Sequence, residues 1–336
     1  MKEYTDREKA LLLASGEQSL KRRCSVAADA LSYYPDTGGA KKIISALEKG
    51  HISFITCDDA EYPESLDGLY EPPPVLYYKG DISLLKSNCV TIVGSRRATR
   101  YGIEAAQYFA EGLAKKGVTI VSGLARGIDT AAHKAALDCG GKTIAVTACG
   151  LDTVYPAENA DLMDEIAAKG LVITEYPPGT PPLSFRFPER NRIMAAISKG
   201  VLVTEAAKGS GALITADCAV ELGRELWITP GSIFSRMSEG SNELLKECGR
   251  PVTRIGDILA DTGGEDDGEN AAGLTDVQKR VLEVIEHEGS AHYSLIARET
   301  GVTIPEVAKV LIKLELDGYV KRLAGNYYTL ARNRRY

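Results

Sequence analysis

No apolar run in this sequence approaches the ~20 residues that a membrane-spanning helix needs. The start, MKEYTDREKALLLASGEQ, lacks the apolar core of a secretory signal, so a cytoplasmic chain is expected. Histidine is scarce: the four residues His51, His133, His287 and His292 show no HxH or HxxxH spacing. The seven cysteines include no CxxC pair. A metal site therefore has no support, no cofactor is called for, and the cysteines are read as small buried hydrophobes kept reduced. Positive charge is not in excess either: 40 Lys and Arg stand against 46 Asp and Glu, a formal net charge of -6. That balance excludes indiscriminate binding of polyanions through bulk charge, but it leaves room for a local basic groove.

What is present, in 336 residues with 44% hydrophobic content, is enough for two or three folded domains. From about residue 89 to 252 one grammar recurs: a short β-branched run, a loop containing glycine, then a helical stretch. Strands are predicted over residues 90–93, 118–122, 143–147, 171–174, 200–204 and 225–229, and helices over stretches such as 103–115, 130–139 and 215–222. Strands without clean alternation, separated by helices, make an α/β Rossmann-like core with a parallel sheet covered on both faces. Such sheets place a ligand at the carboxyl ends of their strands.

Residues 1–50 read as a small helical N-terminal domain, and residues 51–88, with PPPVLYYKG, as an extended arm against a core that runs to 256. Residues 257–273 are acidic, Gly-rich and poor in large apolar side chains, so a flexible linker is expected there. Three helical periods and a hairpin turning at Gly325-Asn326 then predict a winged-helix domain over 274–331.

The predicted strand ends carry a biased set of residues. The first opens into Gly94-Ser95-Arg96-Arg97-Ala98-Thr99-Arg100, where loop amides and arginines at a helix N-terminus suit a phosphate. It is neither a Walker A loop nor a GxGxxG fingerprint. The second ends in Ser122-Gly123-Leu124-Ala125-Arg126-Gly127-Ile128-Asp129, with Arg126 on the same edge and Asp129 a capping candidate. After the fifth come Lys208 and Gly209-Ser210-Gly211, again the shape of an anion cradle. Between the fourth and fifth lies TEYPPGTPPLSFRFPERNRIMA, with Phe185, Arg186, Phe187, Arg190, Asn191 and Arg192. With Tyr155 and Tyr176 on the same edge, these residues combine cations with flat apolar faces. That pairing suits single-stranded nucleic acid, whose bases stack on rings while cations track the backbone; a duplex hides its bases. Packing beneath the Pro-rich loop is the competing reading for either phenylalanine.

The motifs GSR..T.YG (94–102), SGLARGID (122–129), CGLD..YP..N (149–159), EYPPGTPP...FPERNRI (175–193), EA..GSGALITA..A.ELGR (205–224) and PG......EGSNELL (230–245) together resemble the DNA-processing protein A family, also called Smf. The resemblance covers roughly residues 52–252, and the flanking helical and winged-helix parts look like accessory domains found in that family. It implies a non-catalytic protein that binds single-stranded DNA, protects incoming strands in natural transformation, loads RecA recombinase on them and works as a homodimer. It also implies DNA contacts at Arg96, Arg126, Phe187 and the Arg190-Asn191-Arg192 run. One departure is Ser184, where the family often carries a basic residue; whether Arg186 replaces it is open.

Two other functions compete. The first is a protein that binds free nucleotides or a phosphoribohydrolase that cleaves nucleoside monophosphates; the hydrolase would need a catalytic Glu after a Gly-Gly-x-Gly-Thr loop, and residues 209–217 lack that pattern, with Asp217 read as structural. His133 has no orienting partner at a recognisable spacing and reads as a plain helix histidine. A winged-helix regulator of transcription would use residues 304–317, but Lys309 and Lys313 there are matched by Glu306, Glu315 and Asp317. Lys321, Arg322 and the tail Arg332, Arg334 and Arg335 leave a wing contact open.

Overall fold

The computed structural model describes residues 37–57, 59–263, 274–316 and 318–331. Most of the expected N-terminal helical domain, most of the expected linker and the basic tail from Arg332 to Arg335 lie outside the described residues. The chain separates into two units, residues 1–264 and 265–336.

The first unit is built on a nine-stranded sheet. Its strands are β1 (Ser53–Thr56), β2 (Val75–Gly80), β3 (Cys89–Gly94), β4 (Thr119–Ser122), β5 (Thr143–Val146), β6 (Leu171–Thr174), β7 (Gly200–Glu205), β8 (Glu225–Ile228) and β9 (Arg250–Pro251), in the order β1-β2-β6-β5-β4-β3-β7-β8-β9. From β6 to β9 every pairing is parallel. The expected arm is part of the sheet: β2 pairs antiparallel with both β6 and β1. An isolated arm would leave its backbone groups unpaired, whereas edge pairing satisfies them.

The helices are α1 (Thr37–Gly50), α2 (Arg100–Lys115), α3 (Ile128–Asp138), α4 (Ala160–Lys169), α5 (Arg186–Ile197), α6 (Gly211–Glu221), α7 (Glu239–Glu247) and α8 (Gly256–Thr262). Alternate strand residues go to opposite faces. Val90, Ile92, Ile120 and Leu202 pack with α2, α3 and α8, while Val93, Val121, Ile144 and Val203 pack with α5 and α6. Burial on both faces is why the strands read as unbroken apolar runs. Each such side chain contributes ~1.5–3 kcal/mol on burial.

The start of the expected linker needs correction, because residues 256–262 form α8 and not a flexible tether. Ile258 and Leu259 are buried, the indole of the buried Trp227 donates to Asp261 (2.9 Å), and Asn88 Nδ2 donates to the Thr262 carbonyl (3.1 Å). Two adjacent apolar residues and an indole needing an acceptor outweigh the acidic, Gly-rich composition that follows. Gly263 then ends the helix in the left-handed conformation. Cys89, Cys139, Cys149, Cys218 and Cys248 are free thiols. Cys57 departs from the expectation of reduced cysteines, being disulfide-bonded.

The second unit is a winged helix. It comprises α9 (Asp276–Glu288), β10 (Ala291–His292), α10 (Tyr293–Thr300), α11 (Ile304–Leu316), β11 (Val320–Arg322) and β12 (Tyr327–Leu330), with the strands ordered β10-β12-β11. Thr275 and Gln278 form a capping box at the start of α9. Val281, Leu282, Ile285, Ile296, Val307, Leu311 and Leu314 make a core of its own. The third short strand, β10, was not foreseen. Among the described residues no helix is long and apolar enough to cross a membrane.

Candidate nucleic-acid interface

The sheet reverses its order between β3 and β7, so the crevice at their carboxyl ends is where doubly wound folds commonly receive a ligand. Here that crevice is filled from within. Glu205, at the end of β7, is 1% exposed, and its carboxylate accepts from the Thr99 amide (2.7 Å) and hydroxyl (2.6 Å). Its carbonyl accepts from the Ser95 amide (2.7 Å), and the Arg97 amide donates to Ser95 Oγ (3.1 Å). The loop after β3 is therefore not the anion cradle expected from its sequence, because three of its amides already have protein acceptors. What it offers outward is the exposed side chains of Arg96, Arg97 and Arg100.

Ser95, Thr99 and Gly127, expected to face the ligand, build the loops that present those side chains. Ser95 is buried, and Thr99 caps α2. Gly127 has φ +75, and a Cβ there would lie 2.4 Å from the Ser95 carbonyl. Glycine is required for the second loop to lie against the first, and this contact puts Arg126 beside the Arg96 loop.

The exposed side of this edge holds a layered cluster. The Arg96 guanidinium lies over the Phe187 ring, 5.0 Å from its centroid, and the Tyr155 ring packs against the same phenylalanine at a tilt, 5.4 Å between centroids. Loops after β3 and β5 thus meet on one phenylalanine in the first turn of α5. Tyr155 is 44% exposed and Phe187 half-buried, so this ring pair has both a supporting layer and an open surface. Arg126 is exposed and pairs with Glu158 (2.7 Å), a pair exposed on both sides. Such a pair is worth little and can be exchanged for a phosphate.

The Pro-rich connection is pinned to the β5 loop. Asp152 accepts from the Gly179 amide (2.8 Å), and the Gly150 amide donates to the Thr180 carbonyl (3.0 Å). Four residues expected on the groove wall turn inward from it. Arg190 is 4% exposed; its guanidinium donates to the carbonyls of Gly123 (2.8 Å) and Val146, and Nε to Asn191 Oδ1 (3.2 Å). It ties the ends of β4 and β5 together. Burial pulls its pKa down to about 10, against the pull of Asp129, which favours the charged form. Gly123 lies flat on that guanidinium, since a Cβ there would be 2.5 Å from Nη2.

Asn191 is buried and reaches the Gly211 carbonyl (3.4 Å). Arg192 forms an ion pair with Glu175 under the connection. Burial raises the Glu175 carboxyl to about 7, outweighing Arg192, which favours its charged form. Arg186 is also buried: it donates to the Pro181 carbonyl, and its guanidinium lies over the rings of Tyr176 (5.2 Å) and Phe185 (5.3 Å). It holds the connection together and does not supply the cation absent at Ser184, which is exposed. Phe185 is 52% exposed, with Arg186 beneath it.

At the start of α6, Gly209 and Gly211 have open space where a side chain would stand, and Ser210 caps the helix. Lys208 is exposed and paired with Glu243 (3.3 Å). Asp129 was expected to cap a helix. Its buried carboxylate instead gathers the amides of Gly123 (3.1 Å) and Ala125 (3.3 Å). Burial raises its pKa.

The competing chemistries find little here. His133 is fully buried, paired through Nδ1 with Thr143 (2.7 Å), and burial lowers its pKa to about 3. A general base needs access to substrate, which this ring lacks. Asp217 is exposed on α6, and no group of three or more His, Cys, Asp or Glu that could hold a metal exists among the described residues. On the winged helix, α11 flanks Lys309 and Lys313 with Glu306 and Glu315 and exposes Ile304, Ile312 and Leu316, so it presents no uniformly cationic face.

The family description "DNA recombination-mediator protein A" matches residues 53–263, and "DprA winged helix domain" matches residues 265–326. Protein Smf of Escherichia coli strain K12 is 39% identical over 297 residues, covering 85% of this chain and 79% of its own. DNA processing protein DprA of Streptococcus pneumoniae is 47% identical over 209 residues, or 62% of this chain and 73% of its own. Among solved structures, DprA from S. pneumoniae superposes with a TM-score of 0.63 at 39% identity, covering 76% of this chain and 93% of that one. DNA processing protein A from Helicobacter pylori, described for its single-stranded DNA binding mode, gives 0.57 at 34% identity over 63% of this chain and 96% of that one. Matched along most of its length in both units, the chain belongs to the DNA recombination-mediator protein A family, DprA/Smf.

Proposed function

We propose that this chain binds single-stranded DNA without catalysis, at the carboxyl edge of its sheet, and passes the strand to RecA recombinase in natural transformation. The observation that carries the reading is the Arg96-Phe187-Tyr155 cluster, a cation and two rings brought to one exposed point by two loops and the first turn of α5. An unstacked base can lie on the ring pair while Arg96, Arg97 and Arg126 neutralise flanking phosphates. A duplex keeps its bases out of reach of such a platform. Binding is sequence-tolerant, since every base has a π-face, and each phosphate neutralised adds ~0.7 to the slope of log affinity against log salt. The single-strand binding described for the H. pylori relative supports this assignment. A cytoplasmic homodimer would bring two such edges to one strand and raise its effective affinity.

The test is fluorescence anisotropy of a labelled oligo-dT and of a matched duplex across a salt series. The reading requires single strand to bind more tightly than duplex, with Phe187→Ala and Arg126→Ala each weakening it. Equal binding of both forms, untouched by either substitution, rejects it. An assay for cleavage of nucleoside monophosphates adds a second route to rejection, because robust turnover points to an enzyme.

A further inference from the structure

The loop between β8 and α7, residues 229–238, is rigidly held yet carries two bare apolar side chains. Ile233 is 82% exposed and Phe234 is 92% exposed. The backbone around them is anchored on several sides. Asn242 clamps Gly231 through both its amide (3.1 Å) and its carbonyl (3.2 Å). Tyr101 donates its hydroxyl to the Pro230 carbonyl (2.6 Å), and the Ser235 amide closes a turn onto Ser232 (3.0 Å). A Cβ on Gly231 would collide with the Ser238 side chain, so the turn is tightly packed at its root. Exposing an aromatic ring and a branched aliphatic on a floppy loop is unremarkable; fixing the loop while leaving both uncovered means the structure presents them to something.

Three facts indicate what that is. The loop springs from the carboxyl end of β8, on the same edge as the Arg96-Phe187-Tyr155 cluster. It is tied to both nearby cationic loops: Tyr101 follows Arg100 at the start of α2, and α7 is bonded through the Ser241 amide to Ala206 (3.0 Å), just before Lys208. Arg100, Lys208 and Arg236 are exposed around it. The ion pairs of Arg100 with Glu104 and of Lys208 with Glu243 are exposed ones that a phosphate can displace. Cations flanking a bare ring repeat, at β8, the chemistry found over β3 to β5.

We propose that Ile233 and Phe234 form a second base-stacking platform for the same single strand. β8 lies two strands beyond β3, roughly 10 Å at ~4.8 Å per strand, so a strand leaving Arg96 reaches Phe234 within a few nucleotides. The inference rests on the single-strand reading above and extends its groove across β7 and β8.

The experiment compares a thymidine dinucleotide, too short to run from the Phe187 ring to Phe234, with an oligo-dT of about 16 nucleotides, the upper limit of common single-strand sites. It uses the wild-type chain, Phe234→Ser, the Ile233→Ser/Phe234→Ser pair, and Phe187→Ala. The expected result is that Phe234→Ser weakens the long oligonucleotide about tenfold while the short one, held at Phe187, is unchanged. A Phe234→Trp variant should show quenching of its exposed indole by the long oligonucleotide, above the background of the buried Trp227. If Phe187→Ala weakens binding but Phe234→Ser does not, the second platform is overturned and the first stands. If neither substitution matters, the single-strand reading itself fails. If Phe234→Ser leaves DNA affinity intact but changes the sedimentation of the free protein, the loop is a contact between copies of this chain and the proposal is overturned.

Discussion

Two groups of arginines at one sheet edge, one on the first turns of α5 and one on the loops after β3 and β4, do opposite things. Arg186, Arg190 and Arg192 sit at the base of the Pro-rich connection and spend their hydrogen bonds on carbonyls and a carboxylate of the protein itself. Arg96, Arg97 and Arg126 lie at the rim and face solvent, held in place by a buried Glu205 and by the close approach that Gly127 permits. The inner group fixes the shape of the edge, and the outer group gives it charge. The difference shows that the number of cations in a segment does not measure its affinity for a polyanion; what counts is whether their donors are already used.

The comparison breaks most sharply at Arg190. Arg190→Ala leaves two strand-end carbonyls and the Asp129 carboxylate without the cation buried among them. Removing one member of a buried charged group costs ~3–5 kcal/mol. Urea denaturation should show that loss, and any fall in DNA affinity should vanish once the folded fraction is corrected for. A variant as stable as wild type would place Arg190 with the rim.

Arg192 tests the inner group differently, through its partner Glu175. The folded carboxyl titrates near 7 against its ordinary 4.5, so between those values the native state holds a proton that the unfolded chain has lost. Stability contributed by this group is therefore present at low pH and declines as pH rises through about 7. Glu175→Gln cannot titrate, so wild type minus variant should fall by on the order of 2 kcal/mol from about pH 5 to about pH 8. His133, buried neutral, acts in the other direction below its ordinary value of 6.5, but it is common to both proteins and cancels in the subtraction. A flat difference would mean that Arg192 keeps Glu175 ionised throughout.

At the rim the expected effects are on binding. Phe187→Ala should cost ~1–3 kcal/mol in single-strand affinity with little change in salt slope, because it removes a stacking surface and no charge. Arg96→Ala and Arg126→Ala should each lower the slope by ~0.7 while leaving unfolding within about 0.5 kcal/mol of wild type. Arg96→Ala carries the additional loss of the layer behind the Phe187 ring, so it should be the more damaging of the two.

Much of this frame was legible from sequence, and the reasons differ by residue. Unbroken β-branched runs separated by helical periods gave β3 to β8 within a residue or so, because burial on both faces leaves no other pattern. The winged helix was legible from three periods and a Gly-Asn hairpin turn. The division of the arginines was not, because FRFPERNR places buried and exposed positions side by side on the first turns of one helix. A hint existed in Gly123: a glycine required by a flat partner pairs with an arginine inside the fold, not outside it. Glu205 was missed as a loop-holding residue since an acid in a basic edge reads as an exception until its donors are seen. The exposure of Phe234 also has no sequence signature; Ile-Phe between serines looks like any buried dipeptide.

The smallest effect is expected from the second unit. It has its own core and capped helices, and residues 265–336 separate cleanly from the sheet unit. Its α11 mixes Lys309 and Lys313 with Glu306 and Glu315, so phosphates approaching that helix meet both signs. Removing residues 274–336 should therefore change single-strand affinity by no more than a few fold, with the salt slope held by Arg96, Arg97 and Arg126. The same anisotropy titration decides it. A slope that drops by ~0.7 or more would assign at least one phosphate contact to the wing, where Lys321 and Arg322 are exposed, and would extend the outer group of cations beyond the sheet.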